Sequence, residues 1–259
     1  MRGGLLGLFL IAISSLVTGC GSTTSSGGLS SATSIPANPV ENLKPRPSNA
    51  ANISVCPSGN VTDGTDVSDA DVSTQWTTLK SGGTTFAFIK ATEGITFKSP
   101  EFDADWSASQ KSNVVRGAYH YFHPGDDPTI QAQFFESTVG NLNANDLSPM
   151  LDWEVTDGAS SAAQIQNAKI WLQHVEAQTH KVPIVYVDPS FWNQLGNPQG
   201  FEKYPLFIAH YNVKCPSVPP PWSQWSFWQT GAAKINGIQA ATADVDLFNG
   251  VLASLHALF

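Results

Sequence analysis

Short apolar runs alternate with amphipathic stretches along most of this chain, a pattern that predicts an α/β fold. Strand-like runs cover Thr62 to Ser68, Phe86 to Thr92, Val114 to Phe122 and Met150 to Glu154, with helical stretches near Val72 to Leu79, Glu101 to Ser112 and Pro128 to Val139 between them. A longer helix is expected over Ser161 to Thr179, because Ile165, Ala168, Leu172 and Val175 recur at helical spacing on one face. Ile184 to Val187, Leu206 to Ala209, Ser226 to Gln229 and Asp244 to Phe248 follow, the last three with little helix between them. The βα order implies a parallel sheet. Closed on itself it makes an irregular, TIM-like (β/α) barrel, thin in helices on one side.

The two ends of the chain have a different texture. Arg2 precedes an apolar stretch, Leu5 to Val17, that is too short to span a bilayer as a stable helix and reads as a signal peptide over 1–19. It ends in Leu16-Val17-Thr18-Gly19-Cys20, which resembles the bacterial lipobox and marks Cys20 for lipidation; an ordinary signal peptide with an incidental cysteine is the alternative. Residues 20–57 are rich in Ser, Thr, Gly and Pro without apolar periodicity and read as a flexible tether. The barrel is then 58–259, and the protein is expected at the bacterial cell envelope, exported and anchored to a membrane through lipid on Cys20. Exported context and even count favour a disulfide between the two other cysteines, Cys56 and Cys215, over a pair of free thiols. So long a closed loop contributes about 4 to 5 kcal/mol in the chain-entropy account.

Composition narrows the chemistry. Hydrophobic residues make up 41% and charged residues 13% of 259, with 8 Trp and 14 Phe, which suits a compact fold with an aromatic-lined groove. A formal net charge of −8 excludes nucleic acid as a natural partner, since phosphate binding needs clustered Lys and Arg. Within Met150-Leu151-Asp152-Trp153-Glu154 two carboxylates lie two residues apart and share one strand face. Like charges so placed raise one carboxyl pKa, so that one group serves as a general acid while the other stays ionised; glycosidic cleavage needs such a pair. Barrel enzymes carry reacting groups at the C-terminal strand ends, where this chain has Asp66, His120, Asp152, Glu154, Tyr186, Asp188, His210 and Tyr211.

Several ordered segments together carry a family resemblance. Gly64-Thr65-Asp66-Val67-Ser68, Phe88-Ile89-Lys90-Ala91-Thr92-Glu93-Gly94, Gly117-Ala118-Tyr119-His120-Tyr121-Phe122, Leu151-Asp152-Trp153-Glu154, Pro189-Ser190-Phe191-Trp192, Ile208-Ala209-His210-Tyr211 and Phe227-Trp228-Gln229 resemble signature segments of glycoside hydrolase family 25, the Chalaropsis-type lysozymes. The resemblance implies a barrel muramidase that cleaves the β-1,4 bond between N-acetylmuramic acid and N-acetylglucosamine in peptidoglycan, as a monomer and without cofactor or metal. It implies Glu154 as general acid, Asp152 as its ionised partner, and Asp66 and Asp244 as supporting aspartates. Asp246 is the substitute for Asp244 if the terminal segment aligns differently. Tyr119, Tyr186, Tyr211 and Trp228 are candidates for stacking on sugar faces.

The chain departs from the family pattern after Ser68, where Asp69-Ala70-Asp71 replaces the usual aromatic and Gln, so the sugar contacts of that loop are expected to differ. The acidic spacing there lacks the glycine of a calcium loop. His120 and His123 read as packed and loop histidines rather than metal ligands. A barrel that binds peptidoglycan or another aminosugar polymer without cleaving it is the alternative function. The joint presence of Asp66, Asp152, Glu154 and Asp244 favours catalysis, because burying carboxylates without a partner costs stability.

Overall fold

The computed structural model of the protein describes residues 44–257, apart from 58 and 72. Cys20, the signal segment and most of the tether lie outside the described residues. In chain order the elements are β1 (Ile53–Ser54), β2 (Thr62–Val67), a 3-10 turn (Asp69–Asp71), α1 (Trp76–Ser81), β3 (Phe86–Glu93), β4 (Phe97–Lys98), α2 (Phe102–Lys111), β5 (Val115–Tyr121), α3 (Pro128–Val139), β6 (Met150–Asp152), α4 (Ser161–Thr179), β7 (Ile184–Val187), α5 (Pro189–Gln194), β8 (Leu206–Ala209), β9 (Ser217–Val218), β10 (Phe227–Ala233), β11 (Ala243–Phe248) and α6 (Leu252–Ala257). The barrel closes in the order β2, β3, β5, β6, β7, β8, β10, β11, with β11 returning to β2.

The strands read as nearly continuous apolar runs because both of their faces are buried. On β3, Phe86 and Phe88 point into the barrel while Ala87, Ile89 and Ala91 pack outward beneath the helices. The interior is filled by Phe86, Phe88, Phe207 and Phe227, whose ring centroids lie 5.3 to 5.6 Å apart in edge-on, tilted and stacked pairs. Gly64 and Gly117 give these rings their space: a Cβ would stand 2.3 Å from the Phe86 ring at the first position and 2.6 Å from Phe88 at the second.

Helices α3 and α4 occupy the spans expected from sequence, and their ends show why. Asp127 caps α3 by accepting from the Thr129 and Ile130 N–H groups at 2.8 and 3.1 Å, ahead of Pro128 in the first turn. Ser160 caps α4, which stops at His180 in the left-handed region.

Two features differ from the sequence reading. Strands run parallel from β2 round to β10, but β11 is antiparallel to both of its neighbours. Only residues 234–242 connect β10 to β11, fewer than a parallel crossover needs, so the chain turns straight back. This inversion brings the start of β11 to the barrel mouth where the other strands end.

The second correction concerns the tether, which the sequence extends to residue 57. Residues 46–56 are a strap bound to the barrel. β1 pairs with β9 through Ile53–Val218 and Ser54–Ser217, and Arg46 donates to the carbonyls of Val218 and Trp222 at 3.2 and 2.9 Å. Trp225 donates its indole N–H to Val55 at 2.8 Å, and Cys56 is disulfide-bonded to Cys215, their Cα atoms 4.5 Å apart. A two-residue strand leaves no periodic signal in a Pro-rich stretch.

Candidate active site

The barrel mouth gathers the acidic residues. On β6, Trp153 points outward and is fully buried against Phe122, Phe191 and Trp192, which turns its neighbours Asp152 and Glu154 toward the axis. The two carboxyls end in different surroundings. Asp152 is buried at 7% exposure, in register with Tyr121 and Tyr186 on the flanking strands. Glu154, beyond the end of β6, is exposed and lines a groove of about 530 Å³ together with Tyr186, Asn193, His210, Tyr211 and Asn52. Burial first and the adjacent Glu154 charge second push the Asp152 pKa far above the usual carboxylate range. In the free site Asp152 therefore holds the proton of the pair, whereas the sequence reading had it ionised.

A second carboxyl pair closes the floor opposite. Asp66, on β2, accepts a hydrogen bond from Gln229 Nε2 at 2.6 Å, and Gln229 Oε1 in turn accepts from the Tyr186 hydroxyl at 2.7 Å. Tyr211 also donates to Gln229 Oε1. Asp246, fully buried on β11, lies close enough to Asp66 for the two charges to act on each other, and neither of its carboxyl oxygens has a hydrogen-bond partner among the described residues. Burial first and the Asp244 charge second raise Asp66 to about 8. Burial first and the charge of Asp66 second hold Asp246 far above the ordinary range, which favours its protonated form. Asp244 lies two residues nearer the mouth, raised by burial and by Asp71. Both β11 aspartates thus reach the site, with distinct positions: Asp244 at the rim and Asp246 beneath it.

The aromatic candidates separate. Tyr211 is 44% exposed and Tyr186 7%, and both line the groove. Tyr119 is buried in the barrel interior and faces the charges of Asp66 and Asp152 from below. Trp228 does not belong to the site. Phe227 and Gln229 point inward on β10, so Trp228 points outward, donates to the His210 carbonyl at 2.9 Å and packs edge-on against Trp225. Its stacking role is withdrawn: only its place in a motif, not its strand parity, had suggested it.

His120 is fully buried, stacked on Trp171, with Nε2 donating to Gln131 Oε1 at 3.0 Å and Nδ1 accepting from Thr92; burial lowers its pKa to about 4. His123 bridges two loops at the rim, its ring nitrogens each 3.2 Å from carboxylate oxygens of Glu93 and Asp157. Sequence reading missed the linking role of Gln229 and the burial of Asp71, whose carboxylate accepts from the Ser68 N–H at 2.7 Å. Gln229 was visible in the Phe227-Trp228-Gln229 segment, but only inward parity on β10 distinguishes it.

Comparisons with known proteins agree with this geometry. A family model described as Glycosyl hydrolases family 25 matches residues 65–238. Lysozyme M1 of Streptomyces globisporus is 32% identical over 206 residues, covering 75% of this chain and 70% of that protein. An N,O-diacetylmuramidase of Arthroderma benhamiae is 31% identical, over 74% of this chain and 84% of its own length. Among solved structures, a bacterial lysozyme from Streptomyces coelicolor superposes with a TM-score of 0.73 at 32% identity, covering 76% of this chain and 96% of that one. The chain belongs to glycosyl hydrolase family 25 and is a glycoside hydrolase of the lysozyme kind.

Proposed function

We propose that this protein hydrolyses peptidoglycan at the β-1,4 bond between N-acetylmuramic acid and N-acetylglucosamine, with Glu154 as general acid. The observation that carries the reading is the unequal pair: a buried Asp152, favoured in its protonated form, beside an exposed Glu154 that faces a groove of about 530 Å³. A bound glycan expels water from Glu154, and a carboxylate without water is costly to keep charged. A proton then passes from Asp152 to Glu154. One internal transfer thus produces an acid beside the glycosidic oxygen and a carboxylate, Asp152, facing the positive charge that develops on the sugar ring. The C1–O bond breaks as Glu154 gives its proton to the leaving oxygen. Water supplies the hydroxyl to C1 and returns a proton to the carboxyl pair. Asp66 and Asp244, with Tyr186 and Tyr211, hold the ring substituents.

The same reading places the enzyme at the bacterial envelope, tethered by lipid on Cys20 and working as a monomer; the lipobox-like segment supports this. The test is reducing-end release from purified peptidoglycan by the wild-type protein and by Glu154→Gln. Release by the wild type alone supports the proposal. Binding without release at any pH from about 4 to 8, a window that brackets a raised carboxyl pKa, overturns it in favour of a binding module.

A further inference from the structure

We infer that the strap of residues 46–56 is a specificity element, with Asn52 binding an uncharged aminosugar unit beside the bond that Glu154 attacks. The inference rests on the glycan-cleaving reading above and adds to it a residue and a ligand preference. Asn52 lines the same cavity as Glu154, His210, Tyr211 and Ser217. It is partly buried, and its carboxamide has no hydrogen-bond partner among the described residues. His210 is already oriented for a ligand: its Nδ1 accepts from the Ser217 N–H at 3.0 Å, which leaves the hydrogen on Nε2. Asn52 offers both a donor and an acceptor. Together they match the hydroxyl and acetamido groups of a hexosamine, with the exposed Tyr211 ring as a face for stacking.

Charge sets the preference. The cavity wall contains no Lys or Arg, while Glu154 and Asp188 contribute carboxyls. A sugar bearing its own carboxylate meets no cation there, and a neutral N-acetylglucosamine-type unit is the better occupant. The strap is also held before any ligand arrives. The Cys56–Cys215 bond, the β1–β9 pairing and the Arg46 hydrogen bonds fix the backbone on both sides of Asn52, so less ordering entropy is lost on binding. The matched family segment begins at residue 65, so the strap lies outside it.

Two measurements test this separately from catalysis. Linear β-1,4 oligomers of N-acetylglucosamine are titrated calorimetrically into Glu154→Gln with and without Asn52→Ala. In parallel, KM and kcat on peptidoglycan are compared for wild type, Asn52→Ala and the double variant Cys56→Ser/Cys215→Ser. The expected result is an affinity loss of about fivefold, mirrored in KM, with kcat little changed, as for a lost uncharged hydrogen bond made equally in ground and transition states. The freed strap of the double variant should reproduce the KM effect. If the double variant does not fold, Asn52→Ala decides alone. Unchanged affinity and KM in a folded Asn52→Ala overturn the inference. If the wild type releases no reducing ends, the function reading falls, while the calorimetric difference still decides whether the strap binds sugar.

Discussion

Two carboxyl pairs sit in one barrel mouth and differ in a single respect. Asp152 lies beside Glu154, which opens onto the groove, whereas Asp66 lies beside Asp246, which is fully enclosed. Burial raises the pKa in both pairs, so a perturbed carboxyl alone does not identify the reacting group. Access does: Glu154 is exposed at the groove, whereas Asp246 is enclosed and Asp66, only partly exposed, is tied to Gln229 and through it to Tyr186.

The largest test of that contrast is catalytic. Glu154→Gln is expected to lower kcat by about a thousandfold without unfolding the protein, because general acid catalysis contributes on that scale. Asp152→Asn keeps a donor toward Glu154 but has no proton to transfer, so its loss should reach at least about a hundredfold. Asp246→Asn changes an enclosed group beneath the groove, and its loss should stay below about tenfold. Steady-state rates of reducing-end release measure all three. If Asp246→Asn proves as damaging as Asp152→Asn, the sealed pair takes part in the chemistry and the contrast fails.

Stability gives the reverse ranking. Asp66 and Asp246 have folded-state pKa values above their unfolded ones, so the folded state binds more protons at intermediate pH. Their contribution is complete below about pH 4, the unfolded value, and is lost as pH rises through the folded values, near 8 for Asp66. Melting temperature should therefore fall between pH 4 and 8, and Asp246→Asn should flatten that slope. A wild-type melting temperature that rises across this window would contradict the raised values of Asp66 and Asp246.

How much of this was legible in sequence follows from what periodicity encodes. The strand and helix spans of β3, α3 and α4 were readable because burial on one or two faces imposes a repeat. The carboxyl pair on β6 was readable because strand parity aims residues two apart at one spot. Antiparallel β11 was not, since direction depends on connection length and carries no local pattern. The same inversion explains why Asp244 and Asp246 could not be separated by counting: on a reversed strand the residue nearer the start is nearer the mouth. Apart from its Cys56–Cys215 bond, which the cysteine count favoured, the strap was hidden because hydrogen bonds and scattered single contacts hold it, none of which repeats.

A smaller effect probes the groove wall. Tyr211→Phe removes the hydroxyl that donates to Gln229, so the Gln229–Asp66 link loses one support while the stacking face is kept. KM should rise about threefold to tenfold with kcat nearly unchanged, the size of one hydrogen bond. Trp228→Phe should leave KM untouched and lower only the melting temperature, as befits a ring packed outside the barrel.

The smallest expected effect lies at the rim, where His123 joins the Glu93 and Asp157 carboxylates in a cluster that is open to solvent. Burial opposes its charge, but hydrogen bonds to Glu93 and Asp157 outweigh it and raise its pKa. Its stabilising contribution is therefore present below about pH 6.5, the unfolded value, and lost as pH rises through the higher folded value. Lys90, 2.6 Å from Glu93, competes for the same carboxylate and limits the gain. His123→Gln should lower the melting temperature by about 2 °C at pH 5 and leave it unchanged well above neutrality, because exposed ion pairs contribute at most about 1 kcal/mol. Salt separates this cluster from the floor. Raising ionic strength to about 1 M shortens the screening length to about 3 Å and should erase the His123 effect. The pH slope set by Asp66 and Asp246 should persist, since burial rather than a solvent-exposed charge maintains it. Equal sensitivity to salt in both would mean that the floor pair is open to water, and the distinction between sealed and open carboxyls would not stand.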